Sequence, residues 1–131
     1  MVVDTSALVA ILLREPEAPA MVRALAGAER RIVGAATLVE ASAVMRARKG
    51  PGGEIALDAL LERLGIAIQA FSVDSARLAR LGYSRFGRGV GDPGVLNLGD
   101  CLSYGTAMAL RQPLLFKGEG FTQTDVEVAR Y

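Results

Sequence analysis

The sequence predicts one α/β domain over residues 1–131, with a central, mostly parallel sheet between two layers of helices. Short apolar, strand-like segments alternate with stretches that have a helical pattern of apolar residues. No tandem hairpin signal joins two successive strands. The chain has the length of a single domain, and no linker, internal repeat or low-complexity segment divides it. Together these three observations favour a three-layer arrangement.

The first half of the chain predicts two strands and four helices. The apolar segment 1–4 predicts a strand, and it runs directly into a helix-patterned stretch over 5–13. Pro16 with its flanking acids marks the start of a second helix, which continues to about 27. The other elements of this half are a strand at 31–33, a helix over 36–48, a break at Gly50, Pro51, Gly52 and Gly53, and a helix from 55 to 64.

The second half predicts three strands, two helices and one long loop. A strand at 66–71 leads into a helix whose N-terminus Ser72 or Asp74 can cap. Five glycines and Pro93 make the segment 87–99 loop-like. The remaining elements are a helix over 100–111, a strand at 114–116 and a short strand at 126–128.

Composition limits the classes of protein to which the chain can belong. Hydrophobic residues make up 51% and charged residues 22%, which is typical of a globular protein and excludes a disordered chain. No apolar run approaches the ~18 residues of a membrane span, and Asp4 lies where a signal peptide would carry positive charge. We therefore expect a cytoplasmic protein without a membrane partner.

The chain contains no histidine and a single cysteine, Cys101. This composition excludes a Ser-His-Asp triad, a Cys-His pair and a His-ligated zinc site. Cys101 is predicted to be a small buried residue, because no basic neighbour would stabilise its thiolate. Any catalytic acid, base or metal ligand must therefore come from carboxylates, Lys, Tyr, Ser or Thr.

Three acids lie in apolar surroundings, unlike the others, which flank helix starts or polar helix faces: Asp4, Glu40 and Asp100. No Lys or Arg lies within five residues of Asp4 or Glu40, so a bound cation is one candidate to compensate their charge and a distant Arg is another. An all-oxygen set suits Mg²⁺ or Mn²⁺, which favours phosphodiester hydrolysis by an activated water. The alternative is that Asp4 and Asp100 are only helix caps and Glu40 an exposed acid.

Four short motifs follow one another along the chain and are distributed over nearly its whole length. They are Val2-Val3-Asp4-Thr5-Ser6-Ala7, Thr37-Leu38-Val39-Glu40, Leu96-Asn97-Leu98-Gly99-Asp100-Cys101 and Pro113-Leu114-Leu115-Phe116-Lys117-Gly118. Together they resemble the motifs of PIN-domain ribonucleases, in particular VapC-type toxins of bacterial toxin–antitoxin systems. The resemblance implies a PIN fold and a Mg²⁺-dependent endoribonuclease that a VapB-type antitoxin neutralises. It also implies that Asp4, Glu40 and Asp100 bind the metal, with Ser6 (or Thr5) and Asn97 in supporting roles.

The chain departs from the family pattern at one place. Gly120 stands where relatives usually carry a fourth acid. Glu119 is the predicted replacement, with Asp125 as an alternative, and a site with one metal ion is an alternative to a site with two. A second hypothesis follows, in which a catalytically weak PIN domain acts by binding RNA or an antitoxin.

A basic segment is the predicted RNA-binding region. Between residues 76 and 91 the chain carries a local charge of +4 and no acid, and it includes the aromatic residues Tyr83 and Phe86. Arginines can bind phosphates and aromatic rings can stack on unpaired bases, although a solvated helix face followed by a loop explains the pattern equally well. The four candidate residues are Arg77, Arg80, Arg85 and Arg88.

Two further interpretations concern surfaces. The helices at 5–13 and 16–27 are rich in apolar residues, which predicts an antitoxin groove or a homodimer face; ordinary core packing is the alternative. A second basic cluster, Arg46, Arg48 and Lys49, is explained by a favourable interaction with the C-terminal end of a helix dipole.

Overall fold

The computed structural model describes all residues, 1–131. Its sheet contains four parallel strands in the order β3-β2-β1-β4, with Val2 opposite both Ile32 and Leu114. The predicted parallel sheet is confirmed. The strands are β1 (Val2–Val3), β2 (Ile32–Gly34), β3 (Ala67–Gln69) and β4 (Leu114–Leu115).

Six α-helices connect and cover these strands. A short 3₁₀ turn, Gly120–Gln123, follows the last strand. No helix has the length and apolar character that crossing a bilayer requires. The helices are α1 (Thr5–Leu12), α2 (Ala18–Gly27), α3 (Ala35–Lys49), α4 (Pro51–Leu64), α5 (Val73–Phe86) and α6 (Leu98–Leu110).

The sheet separates two hydrophobic cores, because successive side chains of a strand point to opposite faces. Val3, Val33 and Leu115 pack on the face that α1, α2, α3 and α4 cover. Their chain neighbours Val2, Ile32 and Leu114 pack on the face that α5 and α6 cover. The predicted three layers, with helices on both faces of the sheet, are confirmed.

Two predictions are wrong, namely the break at residues 50–53 and the strand at 126–128. Gly52 and Gly53 lie inside α4, because Pro51 starts that helix where its missing N–H is not needed. A methyl group on Gly53 would lie 2.3 Å from the carbonyl oxygen of Met45, so the glycine allows α3 and α4 to meet closely. The expected last strand is reduced to one parallel bridge between Leu114 and Val128.

The α6 helix starts earlier than predicted, at Leu98 and not at residue 100. Asn97 is its N-cap residue, so Asp100 occupies the third helical position. The α5 helix is capped by the side chain of Ser72, one of the two predicted caps. Since Asn97 and Asp100 both belong to the first turn of α6, the start of that helix fixes their relative positions.

Small residues let α3 and α6 pack closely in antiparallel directions. Gly34, the last residue of β2, is the N-cap residue of α3, and a methyl group on it would lie 2.8 Å from Thr106 Oγ1. One turn further along α3, the buried hydroxyls of Thr37 and Ser103 are hydrogen-bonded at 3.1 Å. The next turn along each helix brings Glu40 of α3 towards the first turn of α6.

We expect Gly105→Ala to destabilise the protein, because a methyl group there would lie 2.3 Å from the Ser75 carbonyl oxygen and 2.7 Å from Ala79 Cβ. Overpacking of this kind costs about 1–3 kcal/mol in the free energy of unfolding. Gly27→Ala is the matched control, since no atom lies within 4 Å of the added methyl group. Denaturant unfolding of both variants makes the comparison, and equal stabilities would contradict this account of the α5–α6 contact.

Candidate functional site

A cavity of about 210 Å³ opens beside the carboxyl end of β1, where α1 and α6 begin and α3 passes. It brings together five predicted site residues from three separate parts of the sequence: Asp4, Ser6, Glu40, Asn97 and Asp100. We call it the acidic cavity. Its other lining residues are Thr5, Val9, Val44 and Arg48.

Asp4 is held rigidly at the junction of β1 and α1. Its Oδ2 accepts hydrogen bonds from the backbone N–H of Ser6 at 2.9 Å and from Ser6 Oγ at 2.6 Å. The hydroxyl of Ser6 in turn accepts a hydrogen bond from the backbone N–H of Lys117 at 2.9 Å. Asp4 therefore caps α1, yet its Oδ1 has no hydrogen-bond partner and stays available to a ligand.

Glu40 reaches the same cavity from α3. Its Oε2 accepts a hydrogen bond of 2.8 Å from Thr5 Oγ1. Its other carboxylate oxygen lies against the first turn of α6, where a methyl group on Gly99 would be only 2.1 Å from Oε1. A glycine at this position is therefore required for the Glu40 carboxylate to sit at the positive end of the α6 dipole.

Asp100 is positioned by a reciprocal capping box. Asn97 Oδ1 accepts a hydrogen bond from the backbone N–H of Asp100 at 2.8 Å, and Asp100 Oδ2 accepts one from the backbone N–H of Asn97 at 2.8 Å. The Oδ1 of Asp100 accepts no hydrogen bond. Each of the three carboxylates in the acidic cavity thus uses one oxygen for local structure and keeps the second one free.

The electrostatic environment disfavours ionisation of Glu40 and of Asp100. Burial raises the pKa of Glu40, and the charges of Asp4 and Asp100 raise it further, against the hydrogen bond from Thr5, which lowers it. Burial also raises the pKa of Asp100; the Asn97 hydrogen bond and the charge of Arg88 oppose this effect, whereas Asp4 adds to it. A bound cation would relieve this repulsion.

The donor set fits a hard divalent cation, because all three carboxylates offer a free oxygen and no nitrogen or sulfur ligand is present in the cavity. The carboxylates are not arranged as a ready-made coordination group, since no three His, Cys, Asp or Glu side chains of the chain converge closely enough. The chemistry of the site therefore suits a metal, while the ligands must move together to bind one.

The structure does not bring the expected fourth acid to the acidic cavity. Glu119 is exposed and does not line it, so its role stays a prediction. Asp125, the alternative, accepts hydrogen bonds from the Tyr104 hydroxyl at 2.7 Å and from Arg85 at 2.6 Å. At Gly120 an added methyl group would come no nearer than 3.6 Å to any neighbouring atom, so the fold itself leaves room for a side chain there.

The four arginines predicted to bind RNA have different environments. Arg77 pairs with Asp74 at 2.9 Å, and Arg85 pairs with Asp125 and lies 4.6 Å above the Phe86 ring. Since both acids lie outside the segment 76–91, its local charge of +4 is half compensated in the folded protein. The other two, Arg80 and Arg88, form no ion pair; Arg80 lines an apolar cavity of about 390 Å³ between α5 and α6.

Sequence reasoning missed Arg48 and left the role of Thr5 open. Arg48 was explained by the helix dipole alone, but it lines the acidic cavity. The available signal was the spacing of four residues from Glu40 through Val44 to Arg48, which places all three on one helix face. For Thr5, no signal in the sequence shows that its hydroxyl turns towards Glu40 while Ser6 turns towards Asp4.

Two minor interpretations have clear outcomes. Cys101 is buried, as predicted, and burial raises the pKa of its thiol to about 11, so the thiol stays protonated at neutral pH.

The apolar residues of α1 and α2 mostly face the core and not a partner, which favours the alternative of ordinary packing: Ala7, Leu8, Ile11, Met21 and Leu25 are buried. A groove of about 730 Å³ with mixed polar and apolar lining remains between these helices and α4, lined by residues that include Pro16, Pro19, Val22, Arg14 and Arg63.

Comparison with known proteins gives a consistent result across the chain. The sequence profile of the PIN domain family matches residues 1–127. Ribonuclease VapC28 of Mycobacterium tuberculosis is 45% identical over 129 residues, which cover 98% of this chain and 97% of that protein. Ribonuclease VapC of Mycolicibacterium smegmatis is 47% identical over 126 residues, which cover 96% of this chain and 97% of that protein.

Solved structures support the same fold at lower sequence identity. VapC20 of Mycobacterium tuberculosis, a sarcin–ricin loop cleaving toxin, superposes with a TM-score of 0.75 at 15% identity, covering 95% of each chain. VapBC2 from Rickettsia felis, bound to a DNA fragment from its promoter, gives a TM-score of 0.74 at 17% identity. That match covers 97% of this chain and 94% of the other.

We expect the metal-free protein to lose stability as the pH rises through the raised pKa of Glu40. The folded state binds this proton more tightly than the unfolded chain between the ordinary carboxyl value and the raised one, so stability falls with rising pH there and becomes constant above it. Glu40→Gln removes this dependence. Unfolding in chelator at a series of pH values measures it, and parallel curves for wild type and variant would contradict the prediction.

We also expect Ser6→Ala to weaken binding of a divalent cation, because Asp4 loses its 2.6 Å hydrogen bond and the Lys117 N–H loses its acceptor. Residues that orient a metal ligand typically contribute about 10- to 100-fold in affinity. Ser84→Ala is the control, since that hydroxyl is exposed and bonds only the Leu81 carbonyl within its own helix. Titration calorimetry with Mn²⁺ compares the two, and equal affinities would refute this role for Ser6.

Proposed function

The chain belongs to the PIN-domain family, and we propose that it is an endoribonuclease toxin of the VapC type, from a type II toxin–antitoxin pair. The observation that carries the proposal is that Asp4, Glu40 and Asp100, from three separate parts of the sequence, line one cavity. A cluster of carboxylates without histidine is suited to metal-assisted hydrolysis of a phosphodiester bond. The relatives named ribonucleases match almost the whole chain, so residues 1–131 are proposed to act as one domain.

Mg²⁺ is the proposed cofactor, with Mn²⁺ as a possible substitute, because both prefer oxygen ligands. Asp4 and Asp100 would hold the ion, and Glu40 would either bind it or position the attacking water. A divalent cation in this place supplies activation of water and neutralises charge on a phosphoryl oxygen. Glu119 is proposed as a fourth contributor, although it does not line the acidic cavity.

The protein's own residues supply orientation. Ser6 fixes one oxygen of Asp4, and Asn97 fixes one oxygen of Asp100, so that the second oxygen of each carboxylate is left for a ligand. Thr5 does the same for Glu40. Holding one oxygen of each carboxylate reduces the number of orientations that a metal would have to fix on binding.

RNA is the proposed substrate and a VapB-type antitoxin the proposed protein partner. Arg80 and Arg88, which form no ion pair, are the most available of the four predicted RNA-binding arginines. The antitoxin is proposed to bind the groove between α1, α2 and α4, where Arg14 and Arg63 flank Val22. A homodimer and a cytoplasmic location complete the proposal, since RNA and antitoxin are present in the cytoplasm.

A second candidate function is a catalytically weak PIN domain that acts by binding RNA or antitoxin. The observation that favours it is the number of carboxylates in the acidic cavity, which contains three while Gly120 supplies none. Calorimetric metal titration separates the two functions. Binding of Mg²⁺ or Mn²⁺ that Asp4→Asn abolishes favours the enzyme, and absence of binding at millimolar metal favours the binding module.

We expect Asp4→Asn and Asp100→Asn each to reduce RNA cleavage by about 100-fold or more, because each removes a negative charge that would hold the metal ion. Asp58→Asn is the matched control, since Asp58 is exposed on α4 and does not line the cavity. Gel assays on structured RNAs with Mg²⁺ measure the rates. Full activity in both site variants would refute the proposed catalytic centre.

A further inference from the structure

Arg48 is the one cationic residue that lines the acidic cavity. It follows Glu40 by eight residues on the same face of α3, so its backbone lies about 12 Å further along the helix axis. Glu40 is partly buried, whereas Arg48 is exposed. The guanidinium therefore belongs to the mouth of the cavity and the carboxylates to its interior.

The Arg48 side chain forms no ion pair and no hydrogen bond in the protein, although three carboxylates line the same cavity. Its neighbour Arg46, in contrast, forms an ion pair with Glu54 across to α4. Helix-dipole stabilisation explains a basic residue in the last turn of α3 but not its position on the cavity face. The Arg48 guanidinium is thus free to bind a ligand.

An RNA strand that approaches this site meets a strong electrostatic obstacle. Its phosphates carry negative charge, and the cavity interior presents the carboxylates of Asp4, Glu40 and Asp100. A cation at the mouth offsets the repulsion before the scissile phosphate reaches the interior. The charge of Arg88 acts on Asp100 and so contributes positive potential near the start of α6. Arg48 contributes positive potential on the other side of the cavity, at α3.

We propose that Arg48 binds a phosphate of the RNA strand at the mouth of the acidic cavity and thereby positions the neighbouring scissile phosphate above the carboxylates. The inference rests on the proposed ribonuclease function. A guanidinium suits this role because its fork of N–H donors can bind two phosphate oxygens at once, which a lysine ammonium does with less geometric control. Arg48 is a positioning residue that contacts the substrate away from the reacting atoms.

The test compares Arg48→Gln and Arg48→Lys with Lys49→Gln, a neighbouring cation that removes the same charge from the same helix turn outside the cavity lining. Fluorescence anisotropy measures binding of a short, labelled single-stranded RNA in chelator, so that no cleavage occurs. We expect about tenfold weaker binding for Arg48→Gln. We also expect its salt slope of log affinity to decrease in magnitude by about 0.7, the value for one phosphate contact on a single strand.

Arg48→Lys is expected to recover the salt slope and only part of the affinity, whereas Lys49→Gln should leave both unchanged. With Mg²⁺ present, the effect of Arg48→Gln on cleavage should fall mainly on KM, because the residue binds substrate before the reaction. Equal affinity and salt slope for Arg48→Gln and Lys49→Gln would overturn the proposal. Failure of the wild type to cleave any RNA would instead refute the proposed function, while the binding comparison would still decide the role of Arg48.

Discussion

The close antiparallel contact between α3 and α6 is the constraint on which the site depends. It is built from three successive pairs, at Gly34 and Thr106, at Thr37 and Ser103, and at Glu40 and Gly99. The first two pairs lie in the interior, where an added methyl group on Gly34 would be only 2.8 Å from Thr106 Oγ1 and the hydroxyls of Thr37 and Ser103 are hydrogen-bonded. The third pair lies at the edge of the sheet, where the same close contact places a carboxylate at the start of a helix. Packing of small residues thus determines the geometry of the charged groups.

This arrangement concentrates negative charge that the folded protein does not itself neutralise. The five ion pairs of the structure involve none of the three cavity acids, and the unpaired Arg48 lies at the mouth and not among them. Burial and mutual repulsion raise the pKa of Glu40 and of Asp100, so ionisation of these two carboxylates opposes folding. Groups that oppose stability in this way are typical of functional sites, where a ligand supplies the missing compensation.

The sequence was sufficient for features that depend on local chemistry. Alternation of apolar strands and helices predicted the three layers, and the position of Asp4 after β1 predicted its place at the sheet edge. Long-range contacts were not predictable in the same way. The ion pair between Arg85 and Asp125 joins residues that are 40 positions apart, and it changes the charge of a segment that is uniformly basic in sequence. Arg48 was missed for a related reason, because a helix end already explained its charge.

Helix capping and metal binding are compatible roles for the same carboxylates. A carboxylate has two oxygens, and in Asp4 and Asp100 one of them satisfies backbone N–H groups at the start of a helix. That hydrogen bond fixes the rotation of the carboxylate, so the second oxygen has a defined direction towards the cavity. The cap therefore lowers the entropy that a metal would otherwise have to remove on binding, although the three carboxylates must still move closer together to bind it. The same carboxylate can therefore have a structural role and a functional role, because each role uses a different oxygen.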